Sequence, residues 1–256
     1  MRLYLLQLGL VADGDATPTP LPGYLIQTDD GTNVLVDSGY SRRIHGAHEQ
    51  VAAEVLAAYP DDPLVAFNAL VIRGLRDDPE DFVVNRLAVL GLTPRDIDYL
   101  VCTHFDADHA GNHDLFPDAD LVVQRRHYEI ARAYPRFRIF DSWDTPSLRY
   151  RLVDGDTTLL PGIDLIDSSG HVPGHQSVLV RLPETGPVLL AIDAITHAQF
   201  LDPHTPDILQ DMDHDAKRAS VKKLRAIAER EGAGLIVFGH DGEQWQTLRR
   251  SPACYT

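Results

Sequence analysis

The chain has 256 residues, of which 23 are Lys or Arg and 38 are Asp or Glu, so its formal net charge at pH 7 is -15. Its 44% hydrophobic and 24% charged residues are typical of a globular protein and exclude a fibre or a disordered tail. The acidic excess argues against nucleic acid and anionic membrane surfaces as partners, because both repel a negatively charged protein.

Short apolar runs bounded by Gly, Pro and Asp alternate with helical patterns, which predicts a layered α/β protein. The turn sequence Asp29-Asp30-Gly31 joins the second and third predicted strands as a hairpin. Asp78 and Pro79 are typical of a helix start, and Gly91 of a helix end. The predicted strands cover residues 3–10, 23–28, 32–37, 97–103, 120–124, 163–168, 177–182, 187–192 and 234–238, and the predicted helices cover 48–59, 79–91 and 213–231.

Residues 140–160 are rich in Asp, Pro and Gly and could separate two halves of the chain. The candidate ligands described below fall on both sides of this stretch, so we interpret it as a surface loop and predict one domain over residues 1–256. The first 14 residues lack the pattern of a signal peptide, and no apolar run approaches the length of a membrane span. Cys102 and Cys254 are too few for a disulfide framework, so we expect free thiols and a cytoplasmic protein.

The most informative stretch follows the predicted strand that ends at Thr103. It contains four potential metal ligands within six residues: His104, Asp106, Asp108 and His109. Alternate residues of an extended chain point the same way, so His104 and Asp106 can converge on one ion. As the chain turns, Asp108 and His109 can reach a second ion. Packing two carboxylates and two imidazoles together without a cation would be costly, so the spacing predicts two metals.

Three later strands each end at a further potential ligand. His171 lies in the loop Gly170-His171-Val172-Pro173-Gly174-His175-Gln176, Asp193 follows the run that ends at Ile192, and His240 follows Phe238-Gly239. We expect these three side chains to meet the first cluster at one edge of a sheet. His127, by contrast, has nothing in its surroundings that separates it from a surface residue.

This ordered set of residues resembles the metallo-β-lactamase superfamily, and the loop after Gly170 and the Phe238-Gly239-His240-Asp241 segment look most like its N-acyl homoserine lactonase branch. The resemblance implies an αββα sandwich of two mixed sheets flanked by helices. It also implies that one metal is held by His104, Asp106 and His171 and the other by Asp108, His109 and His240, with Asp193 bridging both. Asp37 resembles an Asp that orients a ligand in this family, and its alternative interpretation is an ordinary turn carboxylate.

Two residues depart from the family pattern. The family usually has His at the position of Asp106, and Tyr at the position of Thr196. Two divalent ions with Asp108, Asp193 and a bridging hydroxide leave a charge of +1, and Asp106 reduces that charge to zero. Zinc remains the favoured metal, but the added oxygen ligand introduces manganese, iron or cobalt as alternatives.

The implied activity is a dinuclear-metal hydrolase that opens a lactone ring through a metal-bridging hydroxide, with N-acyl homoserine lactones as the expected small-molecule substrate. Asp108 is the candidate proton donor to the leaving alkoxide. Thr196 is the second candidate catalytic residue, although it is short for the role of the family Tyr, which His197 or another tyrosine could take. The segment 63–84 is a candidate wall for the acyl chain, with ordinary packing of a helix on the sheet as the alternative.

Several other functions stay open at this point. The same fold could hydrolyse another lactone or ester, in the manner of a pyridoxolactonase, or a thioester, in the manner of glyoxalase II. A non-catalytic metal-binding relative is also open, because Asp106 and Thr196 both depart from the active pattern. The net charge disfavours RNA processing, and the expected metal pair disfavours an iron oxygenase. A homodimer is left open.

Overall fold

Two mixed β-sheets form the centre of the protein in a computed structural model, which describes residues 1–12, 14, 17–76 and 78–256. One sheet has six strands in the order β1-β2-β3-β4-β5-β6 and the other has five in the order β11-β10-β9-β8-β7. The strands are β1 (Arg2–Val11), β2 (Thr19–Gln27), β3 (Asn33–Val36), β4 (Tyr99–Val101), β5 (Asp120–Gln124), β6 (Tyr150–Val153), β7 (Thr157–Leu160), β8 (Ile163–Asp167), β9 (Gln176–Leu182), β10 (Gly186–Ile192) and β11 (Leu235–Phe238).

The α-helices are α1 (His48–Ala58), α2 (Pro63–Gly74), α3 (Val83–Val89), α4 (Arg125–Ala131), α5 (His214–Glu231) and α6 (Gly242–Thr247). The predicted helix 213–231 is observed as α5, where the Asp213 side chain accepts a hydrogen bond from the Ala216 N–H and Gly232 ends the helix at a φ of 68°. Within the described part of the chain, no helix combines the length and apolar character needed to cross a bilayer.

Each sheet combines both strand directions. In the first sheet β1, β2 and β3 pair antiparallel, and β3, β4, β5 and β6 pair parallel. In the second sheet β10 and β11 pair parallel and the other neighbours pair antiparallel. Because β3, β4 and β5 run in the same direction, the loops that follow them emerge at one edge of the sheet.

The main hydrophobic core lies between the two sheets and includes Leu3, Val36 and Val122 from the first and Leu165, Val178 and Leu190 from the second. A separate buried cluster joins α3 to the other face of the first sheet. Another joins α5 to the other face of the second sheet, through side chains such as Leu224 and Leu189. Helices therefore cover both outer faces, and the predicted αββα arrangement is confirmed.

Residues 140–160 do not form the surface loop that we predicted. They contain β6, which pairs with β5 at the edge of the first sheet, and β7, which pairs with β8 at the edge of the second. The segment is thus the connection between the sheets. Both are edge strands with partly exposed side chains, so they lack the continuous apolar run by which the buried strands were recognised.

The helices differ from the prediction in two ways: one predicted helix is interrupted, and α2, α4 and α6 lie outside the three predicted ranges. The predicted helix 79–91 is interrupted at Phe82, whose extended backbone separates a 3-10 turn, Pro79–Asp81, from α3. The second helix, α2, lies in the segment 63–84, for which packing of a helix on the sheet was one of the two interpretations. Asp62 accepts hydrogen bonds from the N–H groups of Leu64 and Val65 in the manner of a helix cap. Both cysteines are free, as predicted, and Cys102 is buried.

Candidate metal centre

The predicted ligands lie in loops that follow four strands. The loop after β4 carries His104, Asp106, Asp108 and His109, the loop between β8 and β9 carries His171, Asp193 follows β10, and His240 follows β11. Their side chains form three overlapping groups in which the potential ligand atoms all lie within 4.8 Å of one another. The structure therefore brings together residues that are up to 136 positions apart in the sequence, from 104 to 240.

The first group consists of His104, Asp106 and His171. The Asp106 Oδ2 atom lies 3.3 Å from His104 Nε2 and 3.1 Å from His171 Nε2. All three side chains are buried. Asp106 therefore points into the cluster, as a ligand at this position must.

The second group consists of Asp108, His109 and His240. Asp108 Oδ2 lies 3.4 Å from His109 Nε2 and 3.7 Å from His240 Nε2. The Asp193 carboxylate stands between the two groups: its Oδ2 is 3.4 Å from His171 Nε2, and its Oδ1 is 3.1 Å from His240 Nε2. Asp193 Oδ2 also lies 3.2 Å from His240 Nε2, so this carboxylate contacts both groups, as a bridging ligand would.

The donor atoms fit a pair of divalent ions. The Nε2 atoms of His104 and His109 and the Oδ1 atom of Asp193 are buried and have no hydrogen-bond partner in the described structure, which is costly unless a cation completes the site. A tetrahedral zinc site places neighbouring ligand atoms about 3.3 Å apart. The separations above are close to that value, and the ligand types are those that zinc and similar metals prefer.

The charges of the cluster also favour a cation. Although burial disfavours the charged form of Asp193, the imidazoles of His240 and His109 hold its pKa well below the usual range. Burial likewise works against a charged His240, but the carboxylates of Asp193 and Asp108 raise its pKa to about 9. The carboxylates therefore stay ionised, and the centre attracts positive charge.

Hydrogen bonds outside the cluster fix the orientation of the ligand rings. Asp37 Oδ2 accepts from Nδ1 of His109 at 2.8 Å, and Asp37 Oδ1 accepts from the Thr103 N–H at 2.8 Å. Nδ1 of His240 donates to the carbonyl oxygen of Pro20 at 2.9 Å. The bonds of His109 and His240 use Nδ1, so the Nε2 atom of each ring is directed at the centre of the cluster. The contact with His109 matches the orienting role expected for Asp37.

Backbone strain occurs at two of these strand ends. Asp37 has a φ of 60° and Ile192, the residue before Asp193, has a φ of 52°. Such conformations cost on the order of 1–3 kcal/mol for residues other than glycine, and they concentrate at functional sites. In this protein they direct the chain so that Asp37 and Asp193 both face the ligand loop.

Sequence reasoning missed several residues around the cluster. Nδ1 of His171 donates to Asp211 at 3.0 Å, and Lys217 Nζ donates to Asp211 at 2.8 Å and to the Asp193 carbonyl oxygen at 2.7 Å. Arg136 donates two hydrogen bonds to Asp106. Lys217 lies in α5, close after Asp213, and no spacing in the sequence indicates that it faces a ligand loop.

His127 is another correction, because it is fully buried rather than a surface residue. Its Nε2 accepts from the Phe105 N–H at 2.8 Å and its Nδ1 donates to the Pro173 carbonyl oxygen at 2.9 Å. Burial lowers the pKa of His127 to about 3. This neutral ring therefore links the loop of His104 to the loop of His171.

An open cavity of about 750 Å³ leads to the cluster. Its polar floor includes Asp106, Asp108, His171, Asp193 and His240, with Arg136, Thr196 and His197 beside them. The Thr196 hydroxyl lies 3.2 Å from Nδ1 of His197. The same cavity also has apolar lining residues: Val11, Leu21, Leu64, Phe67, Leu70, Val71, Phe200 and Ile208. Such a cavity accommodates a small molecule with a polar head and an apolar tail.

Only part of the predicted acyl wall, residues 63–84, lines this cavity. Phe67 and Leu70 of α2 face it, whereas Val65, Ile72 and Val83 are buried in the hydrophobic clusters. Residue 77 of the segment lies outside the described residues. Some side chains of the segment thus line the cavity, as expected of an acyl-chain wall, and others pack in the hydrophobic clusters, as expected of an ordinary helix.

Comparison with known proteins gives a consistent picture. The family model of the metallo-beta-lactamase superfamily matches residues 17–240. An N-acyl homoserine lactonase of Bacillus thuringiensis is 31% identical over 236 residues, which cover 91% of this chain and 86% of that protein. The N-acyl homoserine lactonase AttM of Rhizobium johnstonii is 32% identical and covers 100% of this chain and 99% of its own.

Solved structures are similar over the same extent. A structure of an N-acyl homoserine lactone hydrolase, with the product N-hexanoyl-L-homoserine bound at its catalytic metal centre, has a TM-score of 0.83 and 26% identity to this chain. The similarity covers 99% of this chain and 98% of that one. The match therefore extends over both sheets and all of the loops that carry the predicted ligands.

Proposed function

Because this chain belongs to the metallo-beta-lactamase superfamily and is a metal-dependent hydrolase of the lactonase-like kind, we propose that it opens the ring of N-acyl homoserine lactones, a quorum-quenching activity. The observation that carries the proposal is the paired His and Asp cluster in a cavity that also has many apolar lining residues. The polar residues suit the lactone ring and the apolar residues suit an acyl chain. The names of the similar proteins favour the same substrate.

The proposed ligands are the seven residues of the cluster, with His104, Asp106 and His171 at a first position, Asp108, His109 and His240 at a second, and Asp193 between them. When bound, a pair of divalent ions would activate water and polarise the lactone carbonyl. The spacing of the ligand atoms and the unpartnered buried nitrogens support this assignment. Zinc is the proposed metal, with manganese, iron or cobalt favoured more than usual by the oxygen ligand Asp106.

Ring opening produces an alkoxide on the same molecule, which needs a proton. We propose that the Asp108 carboxylate first accepts the proton that the attacking water loses and then delivers it to the alkoxide, because this carboxylate lies both in the cluster and on the cavity wall. Thr196 lies on the wall on the Asp193 side, and its hydroxyl contacts His197. We propose that this pair hydrogen-bonds the substrate carbonyl in place of the tyrosine that is usual in the family.

Two further expectations belong to the same proposal. The continuous core between the sheets supports a single domain over residues 1–256. The two free cysteines support a reducing compartment, and we propose the cytoplasm.

A panel of substrates tests this function. Metal-loaded protein is assayed with N-acyl homoserine lactones, an aromatic lactone and a glutathione thioester, by the acid that each hydrolysis releases. We expect the highest kcat/KM for the N-acyl homoserine lactones and loss of activity after chelation. The control is Asp193→Ala, which removes the bridging carboxylate. A faster reaction with the thioester or the aromatic lactone, or no hydrolysis by fully loaded protein, would contradict the proposal.

A further inference from the structure

Arg136 occupies an unusual position for a cation, in direct contact with two predicted metal ligands. It lies in the 3-10 turn Pro135–Arg138 and is 5% exposed. Its Nε atom donates to Asp106 Oδ1 at 2.6 Å, and its Nη2 atom donates to Asp106 Oδ2. Nη1 donates to the Gln210 carbonyl oxygen at 2.6 Å. The guanidinium is therefore fixed by a two-point contact on one side and a backbone contact on the other.

The same guanidinium also contacts His171. Its Nη2 atom lies 2.9 Å from His171 Nε2. Nδ1 of His171 is bonded to Asp211, which is itself paired with Lys217 and so can only accept. Nδ1 therefore carries a proton, and Nε2, which also lies 3.1 Å from Asp106 Oδ2, is the nitrogen left for a metal. The Arg136 guanidinium thus lies next to the nitrogen that a metal at the first position needs.

Arg136 also changes the charge at the first position. Asp106, in the place where the family usually has a neutral His, adds one negative charge. The buried guanidinium adds one positive charge at hydrogen-bond distance from it. The charges of Asp106 and Arg136 cancel, so the pair is neutral, like the usual His. The Arg136 guanidinium nevertheless lies next to the proposed metal ligands.

The second position has no such contact. Within the described ranges, no Lys or Arg side chain forms an ion pair with the carboxylates of Asp108 or Asp193. Lys217 contacts Asp193 through the main-chain oxygen of that residue and not through its carboxylate. The two positions thus differ in one respect that affects metal binding directly.

We propose that Arg136 acts as a built-in cationic competitor, which makes the first metal position weaker than the second and causes the protein to load in two steps. One equivalent binds first at Asp108, His109 and His240. The second equivalent binds at His104, Asp106 and His171 only when the metal displaces Arg136 from its contact with His171 Nε2. Arg136 is in this sense a positioning residue for Asp106 and a regulator of metal content.

The test measures zinc binding without substrate. Protein is dialysed against zinc buffers of graded free concentration, and the bound zinc is determined by elemental analysis. We expect the native chain to hold one equivalent at free zinc concentrations where the second is lost. In Arg136→Gln the second equivalent should bind on the order of tenfold more tightly or better, because its competitor is gone.

The matched control is Arg138→Gln, two residues further along the same turn. Arg138 pairs with Asp144 and Asp141, and the native loading curve should persist without it. An Arg136→Gln curve equal to that of the native chain, or a weaker second equivalent, would overturn the proposal. The second result would mean that Arg136 supports the metal instead of competing with it.

A second pair of variants keeps the test decisive if Arg136→Gln fails to fold. Asp106→His leaves the guanidinium unpaired beside three imidazoles, so we expect its second equivalent to bind more weakly than in the native chain. Adding Arg136→Gln to Asp106→His should restore tight binding, and no restoration would contradict the proposal. The inference rests on the metal site of the proposed function, but a chain that binds zinc in this manner and hydrolyses no lactone would refute only the lactonase assignment.

Discussion

Several imidazoles in this protein are buried next to the ligand loops without being ligands, and burial keeps them neutral. His113 is the clearest case. Its Nδ1 lies 3.1 Å from the Tyr150 hydroxyl, which itself donates to the Trp143 carbonyl oxygen at 2.8 Å, so Nδ1 carries the proton. Its Nε2 is buried without a partner. Burial lowers the pKa of His113 to about 3, because a second proton would sit on that unpartnered nitrogen.

This neutral ring should make the fold sensitive to acid. Between pH 6.5 and 3 the unfolded chain protonates residue 113 and the folded chain does not, so stability falls as the pH falls. We expect the free energy of unfolding of the native chain to decrease faster than that of His113→Asn, by up to about 1.4 kcal/mol per pH unit. Asn preserves a donor for Tyr150 and cannot titrate.

Urea unfolding at several pH values, with a chelator present throughout, measures this difference. The control is His204→Asn, at an exposed position, which should give a curve parallel to that of the native chain. If the His113→Asn curve were parallel as well, the buried ring at residue 113 would not be the cause of the acid sensitivity.

At the level of single residues, the sequence predicted the seven candidate ligands and missed the side chains that contact them from other elements. His104, Asp106, Asp108 and His109 are recognisable because they share one short loop. Arg136 is not recognisable, because its partner Asp106 is 30 positions away and an arginine in a short turn has no distinctive spacing. The carboxylate of Asp106 in place of a neutral His nevertheless indicates that a cationic side chain lies nearby, because a buried extra charge requires a counter-charge.

Among the elements, α2 connects the fold most directly to substrate choice. One side of this helix is buried through Val65, Ala69 and Ile72. On another side, Phe67 is 38% and Leu70 is 64% exposed, and both line the cavity. Large apolar side chains left exposed at a cavity are more informative than scattered ones, because they can be covered by a ligand. We therefore assign the acyl chain of the proposed substrate to this side of α2.

Substitution in α2 tests that assignment. In Phe67→Ser we expect kcat/KM for a decanoyl homoserine lactone to fall by on the order of tenfold, because burial of an aromatic side chain against the chain contributes about 1.5–3 kcal/mol. The value for a butanoyl homoserine lactone should change little. Steady-state assays over a series of chain lengths provide the comparison.

The control for α2 is Val89→Ser in α3, since Val89 is 48% exposed and lies away from the cavity. It should leave the chain-length profile unchanged. Equal losses for short and long substrates in Phe67→Ser would place the acyl chain elsewhere.

The strands and helices that were predicted correctly have strong local signals, and those that were missed depend on their neighbours. The strand β5 matches its prediction exactly, Asp120–Gln124, because it is a short apolar run between turns. In contrast, β6 and β7 are stabilised by pairing at sheet edges, and their sequences are too polar to reveal it. The helix α2 has a clear cap at Asp62, and a helix was one of the two interpretations of its segment, but the apolar run does not show where the helix ends.

At the scale of the whole molecule, the ligand cluster spans the two sheets. His104, Asp106, Asp108 and His109 follow a strand of the first sheet, whereas His171, Asp193 and His240 follow strands of the second. Bound metal would therefore join the sheets at one edge, in addition to the apolar core between them. A ligand that binds only the folded state stabilises it in proportion to the logarithm of its concentration over Kd.

Metal removal should consequently lower the stability of the entire fold. At a free metal concentration of about 1,000 times Kd, one site contributes about 4.1 kcal/mol, and for a chain of this length the midpoint of thermal unfolding should fall by roughly 10 °C on chelation. Calorimetry with and without chelator measures the shift. In Asp193→Ala, which lacks the carboxylate proposed to bridge the two metal positions, chelation should have a much smaller effect. An unchanged midpoint in the native chain would show that the sheets are held together without metal, and that the cluster contributes to function alone.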